Sequence, residues 1–182
     1  MIALETPRLN LRDHVSEDLT ALHAMLSDDD MTWFLPSMRK GSAEETRAYL
    51  EGCMADAVSE PRVRYNLAVV DRRQEPIGSV GLHLIDGDAS EGHYGLGYFI
   101  APALWNRGYA TEAVGAALEF IFENGAVRVS ASALAENLSS RRVLEKCGFT
   151  QEGLLRAHTL HAGAWLDCAV YGILKRDYKG RR

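Results

Sequence analysis

The residues best placed to do chemistry lie in the run Leu104-Trp105-Asn106-Arg107-Gly108-Tyr109-Ala110-Thr111-Glu112-Ala113. A strand-like segment from His93 to Ile100 leads into Ala101-Pro102, where neither a ladder nor a helix can continue, and a short polar turn with one glycine follows. From there Ala110, Ala113, Val114, Ala117, Leu118, Ile121 and Phe122 keep the spacing of one helix face. The chemistry of such a strand-turn-helix unit is anion binding. The first N–H groups of a helix have no partner inside it, and its dipole adds positive potential at that end. Gly108 and the small Ala110 leave room for a diphosphate to approach the main chain. The same pattern also suits an ordinary strand-turn-helix unit with no ligand.

Other chemistry-bearing patterns are weaker. Gly95-Leu96-Gly97 opens like a dinucleotide fingerprint, but the third glycine and the following helix are missing. No GxxxxGK[ST] run is present, which excludes nucleotide hydrolysis of that type. Ser130, Ser132 and Ser140 lack the G-x-S-x-G elbow of a serine hydrolase. His158 and His161 sit in or near a hairpin, not on a helix face, and Cys53, Cys147 and Cys168 have no CxxC spacing. Neither a metal site nor a disulfide framework is expected.

The elements around these residues must position them. Arg8 to Arg12 alternates Leu9 and Leu11 with polar neighbours, a first strand. Ser16 before Glu17 and Asp18 reads as a helix cap, with Leu19, Leu22, Met25 and Leu26 turned inward and Asp28-Asp29-Asp30 as the end. Ser42 and Glu45 read as a capping box for a helix running toward Val58. Tyr65 to Val70 and Ile77 to Leu84 form a hairpin, and the loop from Asp86 to Gly92 precedes the strand ending at Ile100. Asn124-Gly125 stops the long helix, and Val127 to Ala133 is the next strand. A shorter helix capped near Ser139 or Ser140 ends at Gly148, and Gln151 to Leu160 pairs with Ala164 to Leu174 as a closing hairpin. Strands flanked by helices predict an α/β fold with a mixed sheet in one domain over residues 1–182.

Length and composition agree. A chain of 182 residues, 47% hydrophobic and 25% charged, suits one domain with a real core. A net charge of −5 and a pI near 5.7 argue against a nucleic-acid partner and favour a cationic acceptor. No apolar run is long enough for a signal peptide or a membrane span, so a cytoplasmic protein with no membrane partner is expected.

Two blocks carry a family resemblance. Trp105 to Ala113 resembles the acetyl-CoA loop of the GNAT N-acetyltransferases, a (Gln/Arg)-x-x-Gly-x-(Gly/Ala) turn, with Gly108 and Ala110 at its two small positions. Trp105 stands where the wider superfamily has Gln or Arg, and Trp followed by Gly-Tyr-Ala-Thr-Glu-Ala is typical of the ribosomal-protein (Rim-type) branch. The block Asn137-Leu138-Ser139-Ser140 through Glu145-Lys146-Cys147-Gly148-Phe149 is similar to that branch's Asn-x-x-Ser…Glu-Lys-x-Gly-Phe. The resemblance implies the GNAT fold, a mostly antiparallel mixed sheet of about seven strands with about four helices. It also implies acetyl-CoA as co-substrate, an amine acceptor such as a ribosomal or other protein N-terminus, and room for a homodimer. A small-molecule amine acetyltransferase and a non-catalytic acetyl-CoA-binding module are the alternatives.

The implied reaction sets three tasks: a donor for the developing oxyanion, a neutral amine, and a proton for the leaving thiolate. The resemblance gives the first to main-chain N–H groups near Phe99 and Ile100, beside the turn Asn106, Arg107, Gly108, Tyr109, Ala110 and Thr111. It gives the third to Ser140, with Asn137 holding pantetheine or acceptor backbone; a plain helix cap is the other reading of Ser140. Trp33 and Phe34 are expected to wall the acceptor pocket, and Asp167 to orient the ammonium, although core packing and an exposed strand face also suit them. Trp165 and Tyr171 are read as core or pocket wall. For the amine, Rim-type chains often carry Glu-x-Gly-Tyr, whereas this chain reads Gly95-Leu96-Gly97-Tyr98, with no carboxylate at that place. His93 is the nearest substitute base, ahead of Glu91 and Glu112.

Overall fold

The computed structural model describes residues 1–180. Eight strands form one sheet: β1 (Ala3–Glu5), β2 (Leu9–Asp13), β3 (Arg64–Asp71), β4 (Pro76–Gly87), β5 (Gly92–Ile100), β6 (Ala126–Leu134), β7 (Thr150–His161) and β8 (Ala164–Leu174). Their spatial order is β1-β2-β3-β4-β5-β6-β8-β7. Every neighbouring pair is antiparallel except β5 and β6, which a helical crossover joins in parallel. Five α-helices complete the fold: α1 (Leu19–Leu26), α2 (Asp29–Trp33), α3 (Ala43–Ala57), α4 (Tyr109–Glu123) and α5 (Leu138–Lys146).

Strand and helix counts each exceed expectation by one. β1 spans only three residues, too short to carry a period. The aspartates read as a helix end instead start α2: the Asp28 carboxylate accepts from the Met31 N–H at 2.8 Å, an N-cap. The Ser42 hydroxyl caps α3 as expected, but Glu45 reaches back to the Gly41 N–H and not to that of Ser42. The α5 cap is also displaced, from Ser139 or Ser140 to Asn137, whose Oδ1 accepts from the Ser140 N–H at 3.0 Å.

Two cores sit on opposite faces of the sheet. On one face α4 buries Val114, Ala117, Leu118 and Ile121 completely against Leu67, Leu82, Tyr94 and Val129. Each large side chain there contributes about 1.5–3 kcal/mol of burial. On the other face α1, α2 and α3 gather Leu22, Met25, Leu26, Met31 and Leu50 around Phe99. Because side chains alternate along a strand, Tyr98 and Phe99 belong to different faces. Tyr171 lies in the first core, but Trp165, expected as core or wall, is 62% exposed near the tip of the β7–β8 hairpin.

The feature that positions the site is a divergence. β5 and β6 pair only from Gly92↔Ala126 to Gly95↔Ser130. Beyond Gly95, β5 stays with β4 as far as Gly78↔Ile100, while β6 follows β8 to Leu134↔Cys168. A wedge therefore opens between two parallel neighbours, and the edge of Leu96–Ile100 facing it is unpaired by any strand. No helix among the described residues is long and apolar enough to cross a membrane.

Candidate active site

The wedge widens into a cleft of about 320 Å³. One end is the turn after β5. A single 3-10 turn, Pro102–Leu104, follows Ala101, and Asn106 and Gly108 then adopt positive φ of 60° and 79°. Gly108 is the N-cap of α4. A left-handed conformation is free for glycine and strained for most other residues, which is the local reason for Gly at 108. Among the described residues no backbone carbonyl accepts from the N–H groups of residues 106–111; the first such bond of the helix runs from Glu112 to the Gly108 carbonyl at 3.1 Å. Asn106, Gly108, Tyr109, Ala110 and Thr111 all line the cleft, whereas the Arg107 side chain does not.

This turn is held from behind. The Thr6 hydroxyl and Arg8 N–H donate to one Glu112 oxygen at 2.6 and 2.8 Å, and Arg8 Nε donates to the other at 2.6 Å. The Arg8 guanidinium also donates to the Arg107 carbonyl at 2.8 Å and lies over the Tyr109 ring. Burial works against the Glu112 anion, but these donors outweigh it and hold its carboxyl below the ordinary range. Glu112 is an anchor for the turn, not a free base. From the strand side, the Trp105 indole donates to the Ile100 carbonyl at 2.6 Å and fixes the exit of β5.

The opposite wall is α5, which presents Ser139, Ser140, Arg142, Val143 and Lys146 to the cleft. The spacing i, i+3, i+4, i+7 puts Ser139, Arg142, Val143 and Lys146 on one helix face. Two cations thus stand across the cleft from the unpaired N–H groups, the electrostatics of a polyanion site. Neither was singled out by the sequence reading, although that spacing was visible.

At the apex, Ser140 meets Tyr98. The Tyr98 hydroxyl donates to the Ser140 carbonyl at 3.0 Å and shares a 2.9 Å hydrogen bond with its Oγ. Burial pushes the Tyr98 hydroxyl above its ordinary pKa, so it stays protonated. With Asn137 as the α5 cap, the Ser140 side chain is released for the cleft. Beyond the apex, Phe99, Met31, Phe34 and Leu35 close the far end. Tyr98 and Phe99 come from opposite faces of the sheet, so the cleft passes through the wedge.

Three expected residues lie elsewhere. His93 is at the start of β5, six residues before Phe99; its Nε2 is 2.7 Å from Ser130 Oγ, and it does not line the cleft. Burial and then Arg128 lower its pKa, with Asp86 and Glu152 opposing. Asp167 accepts from the Ala157 N–H at 2.8 Å, where β7 bulges between Leu155 and Thr159, so its carboxylate supports that bulge. Trp33 is half exposed and packs edge-on against His161 at 4.6 Å, tying α2 to the hairpin tip, while its neighbour Phe34 lines the cleft. Among the described residues, no carboxylate or cysteine lines the cleft and no cluster of metal-ligating side chains occurs. The Cys147 thiol is half-buried beside the Thr111 carbonyl, and that burial pushes it up to about 12.

The architecture is thus a mixed sheet split between two parallel strands, with a turn of unpaired main-chain N–H groups at the mouth of the split. Residues 8–150 match the family model described as an acetyltransferase (GNAT) domain. The chain belongs to the GNAT family and is an N-acetyltransferase. It is 30% identical over 173 residues to the uncharacterized N-acetyltransferase YoaA of Bacillus subtilis (strain 168), covering 94% of this chain and 96% of that one. Among solved structures, a GNAT-family acetyltransferase from Bacillus anthracis superposes with a TM-score of 0.83 at 27% identity, covering 96% and 99% of the two chains. RimL, a ribosomal L7/L12 alpha-N-protein acetyltransferase solved with coenzyme A, has the same fold at a TM-score of 0.83 and 18% identity, covering 95% and 98%.

Proposed function

We propose that the protein moves the acetyl group of acetyl-CoA directly to a primary amine, and that this amine is a protein N-terminus. One observation carries the reading. A single cleft joins the unpaired N–H groups of 106–111, the open edge of β5, the Ser140–Tyr98 hydroxyls and the apolar end at Phe34. The turn with Arg142 and Lys146 would hold the diphosphate, and the open β5 edge would pair with the pantetheine amides as an added strand. N–H groups near Phe99 and Ile100 would face the thioester oxygen, and Asn137 would hold pantetheine or acceptor backbone. When bound, acetyl-CoA supplies the activated acetyl group. The Tyr98–Ser140 pair then provides a proton for the departing thiolate. With no cysteine in the cleft, an acyl-thiol intermediate on the enzyme has no support.

The acceptor class follows from proton energetics. An α-amine of pKa near ~7.8 is roughly 10–15% neutral at pH 7, whereas a lysine at ~10.4 is about 0.04% neutral. Deprotonating the lysine therefore costs about 3 kcal/mol more, at about 1.4 kcal/mol per unit. A cleft lined by no carboxylate favours the easier amine. The similarity to RimL, itself an alpha-N-protein acetyltransferase, supports the same choice. The test is calorimetric CoA binding followed by thiol release with matched peptides presenting only an α-amine or only an ε-amine. Preference for the α-amine peptide is expected. Preference for the lysine peptide rejects the acceptor, and no heat at saturating CoA rejects the whole reading.

A further inference from the structure

The cleft's own lining contains no group able to take a proton from an ammonium, and His93 is held away from it. The sheet face that carries Phe99 provides one. On that face Gly81 of β4 is directly opposite Gly97 of β5, and the next pair on the same face is His83 opposite Gly95. Gly97 is exposed, and a Cβ built on it would meet nothing within 4 Å. It leaves bare backbone one pair from Phe99, where the cleft emerges through the wedge, while Asn66 Oδ1 lies over Gly81. Gly95 is buried beneath the His83 ring: a Cβ there would lie 2.5 Å from His83 Nε2. The imidazole of β4 therefore occupies the space that a side chain at 95 would fill, at the place where β5 and β6 part.

We propose that His83 is the general base of the transfer, receiving the acceptor ammonium's proton as the amine enters over Gly97. The inference rests on the acetyl-transfer reading above. Residues two apart on a strand are about 7 Å apart, so the ring reaches an amine above Gly97 directly or through one water. Its surroundings suit a neutral imidazole. Burial first, and then Arg64, its cross-strand partner on β3, lower its pKa below the ordinary histidine value. His93, Asp86 and the Arg128–Glu152 pair lie further along this face, and Asp56 of α3 accepts a hydrogen bond from Asn66, the side chain that covers Gly81. At pH 7 the ring is unprotonated, and once protonated it is repelled by Arg64, which returns the proton to water.

The step balances. His83 takes one proton from R–NH3+, and the freed nitrogen lone pair forms the C–N bond to the acetyl carbon. The C–S bond breaks, its electron pair leaves on sulfur, and the thiolate takes a proton from the Tyr98–Ser140 pair; the adduct nitrogen sheds its second proton, which returns through water to that pair, leaving the amide, the free thiol and one proton on His83. The acceptor nitrogen and the leaving sulfur thus use groups on opposite faces of the sheet.

The experiment compares wild type, His83→Gln and His93→Gln by calorimetric CoA binding and by the pH profile of kcat for acetylation of an α-amine peptide. The expected result for His83→Gln is unchanged CoA affinity, a fall in kcat of about 10²-fold, and loss of the acid limb below pH 6.5. The double variant His83→Ala/Gly95→Glu, which puts a carboxylate into the vacated space, should recover part of kcat with the limb moved to lower pH. In wild type, the NMR titration midpoint of the His83 ring should shift when the peptide is added to the CoA complex, a readout independent of variant folding. An unmoved midpoint, a retained limb in His83→Gln, or a limb abolished by His93→Gln instead overturns the assignment while acetyl transfer stands. CoA binding without acetylation of either peptide rejects transfer and base together.

Discussion

At the scale of single residues, the site depends on a few atoms whose placement can be tested separately. Ser140 shares its hydroxyl with Tyr98 while Asn137 caps α5, so the two changes should separate chemistry from stability. Ser140→Ala should lower kcat by roughly 10–100-fold with CoA affinity little changed, because proton donation is lost while the helix stays capped. Asn137→Ala should instead lower the unfolding free energy by about 1 kcal/mol in a urea titration. Gly108 sits at a φ of 79°, and Gly108→Val places a β-branched residue in the left-handed region. A loss of about 1–2 kcal/mol is expected, seen as a fall of roughly 2–8 °C in Tm, with CoA binding at least ~10-fold weaker by calorimetry. None of these geometries is written in residue type alone. Ser140 is adjacent to Ser139 and equally able to cap a helix; the contact from Tyr98, 42 positions away, separates them.

At the scale of elements, α4 and its turn are tied to the N-terminal segment by Glu112. Its carboxyl is lowered in the folded state, so the stability it contributes is full above the unfolded value near ~4.3 and is lost as pH falls through the folded value. Glu112→Gln should therefore reduce unfolding free energy by about 1–2 kcal/mol at pH 7. The difference from wild type should shrink as pH falls through the folded value, where the wild-type carboxyl also becomes uncharged. A second anchor joins β2 to the start of α1: Asp18, 1% exposed, accepts from Arg12 at 2.7 and 2.8 Å and from the Val15 N–H at 3.0 Å, with His14 Nδ1 at 3.2 Å. Removing a buried charge partner costs about 3–5 kcal/mol, and Asp18→Ala is expected to lose that much by urea denaturation. The helix and strand runs were legible from period and caps, because local hydrogen bonding sets them. The exceptions were β1 and α2, too short to show a period, and the acids of 28–30, whose side chains can end one helix or start the next.

At the scale of the whole molecule, the parting of β5 from β6 links the two sides of the sheet. One side brings α4, α5 and the Tyr98–Ser140 pair; the other brings Phe99, Met31, Phe34 and the open backbone at Gly97 beside His83. The β7–β8 tip leans on α2 through Trp33 and His161. Trp33→Ala should loosen that closure and raise KM for an acceptor peptide several-fold while CoA affinity stays the same. An equal loss in both would show that the contact serves overall stability instead.

What the sequence by itself determined was the class of fold, the glycine-bearing turn after β5 and the helix that follows it. Those depend on local rules: a glycine for a positive φ, unpaired N–H groups at a helix start, an apolar face at helical spacing. It also exposed the missing carboxylate at Gly95. The tertiary structure alone decided which groups stand beside the reacting centre, because strand pairing and alternation bring together residues whose separation in the chain is arbitrary. His93, near Gly95 in the chain, is drawn to Ser130, whereas His83, twelve positions before Gly95, lies over it.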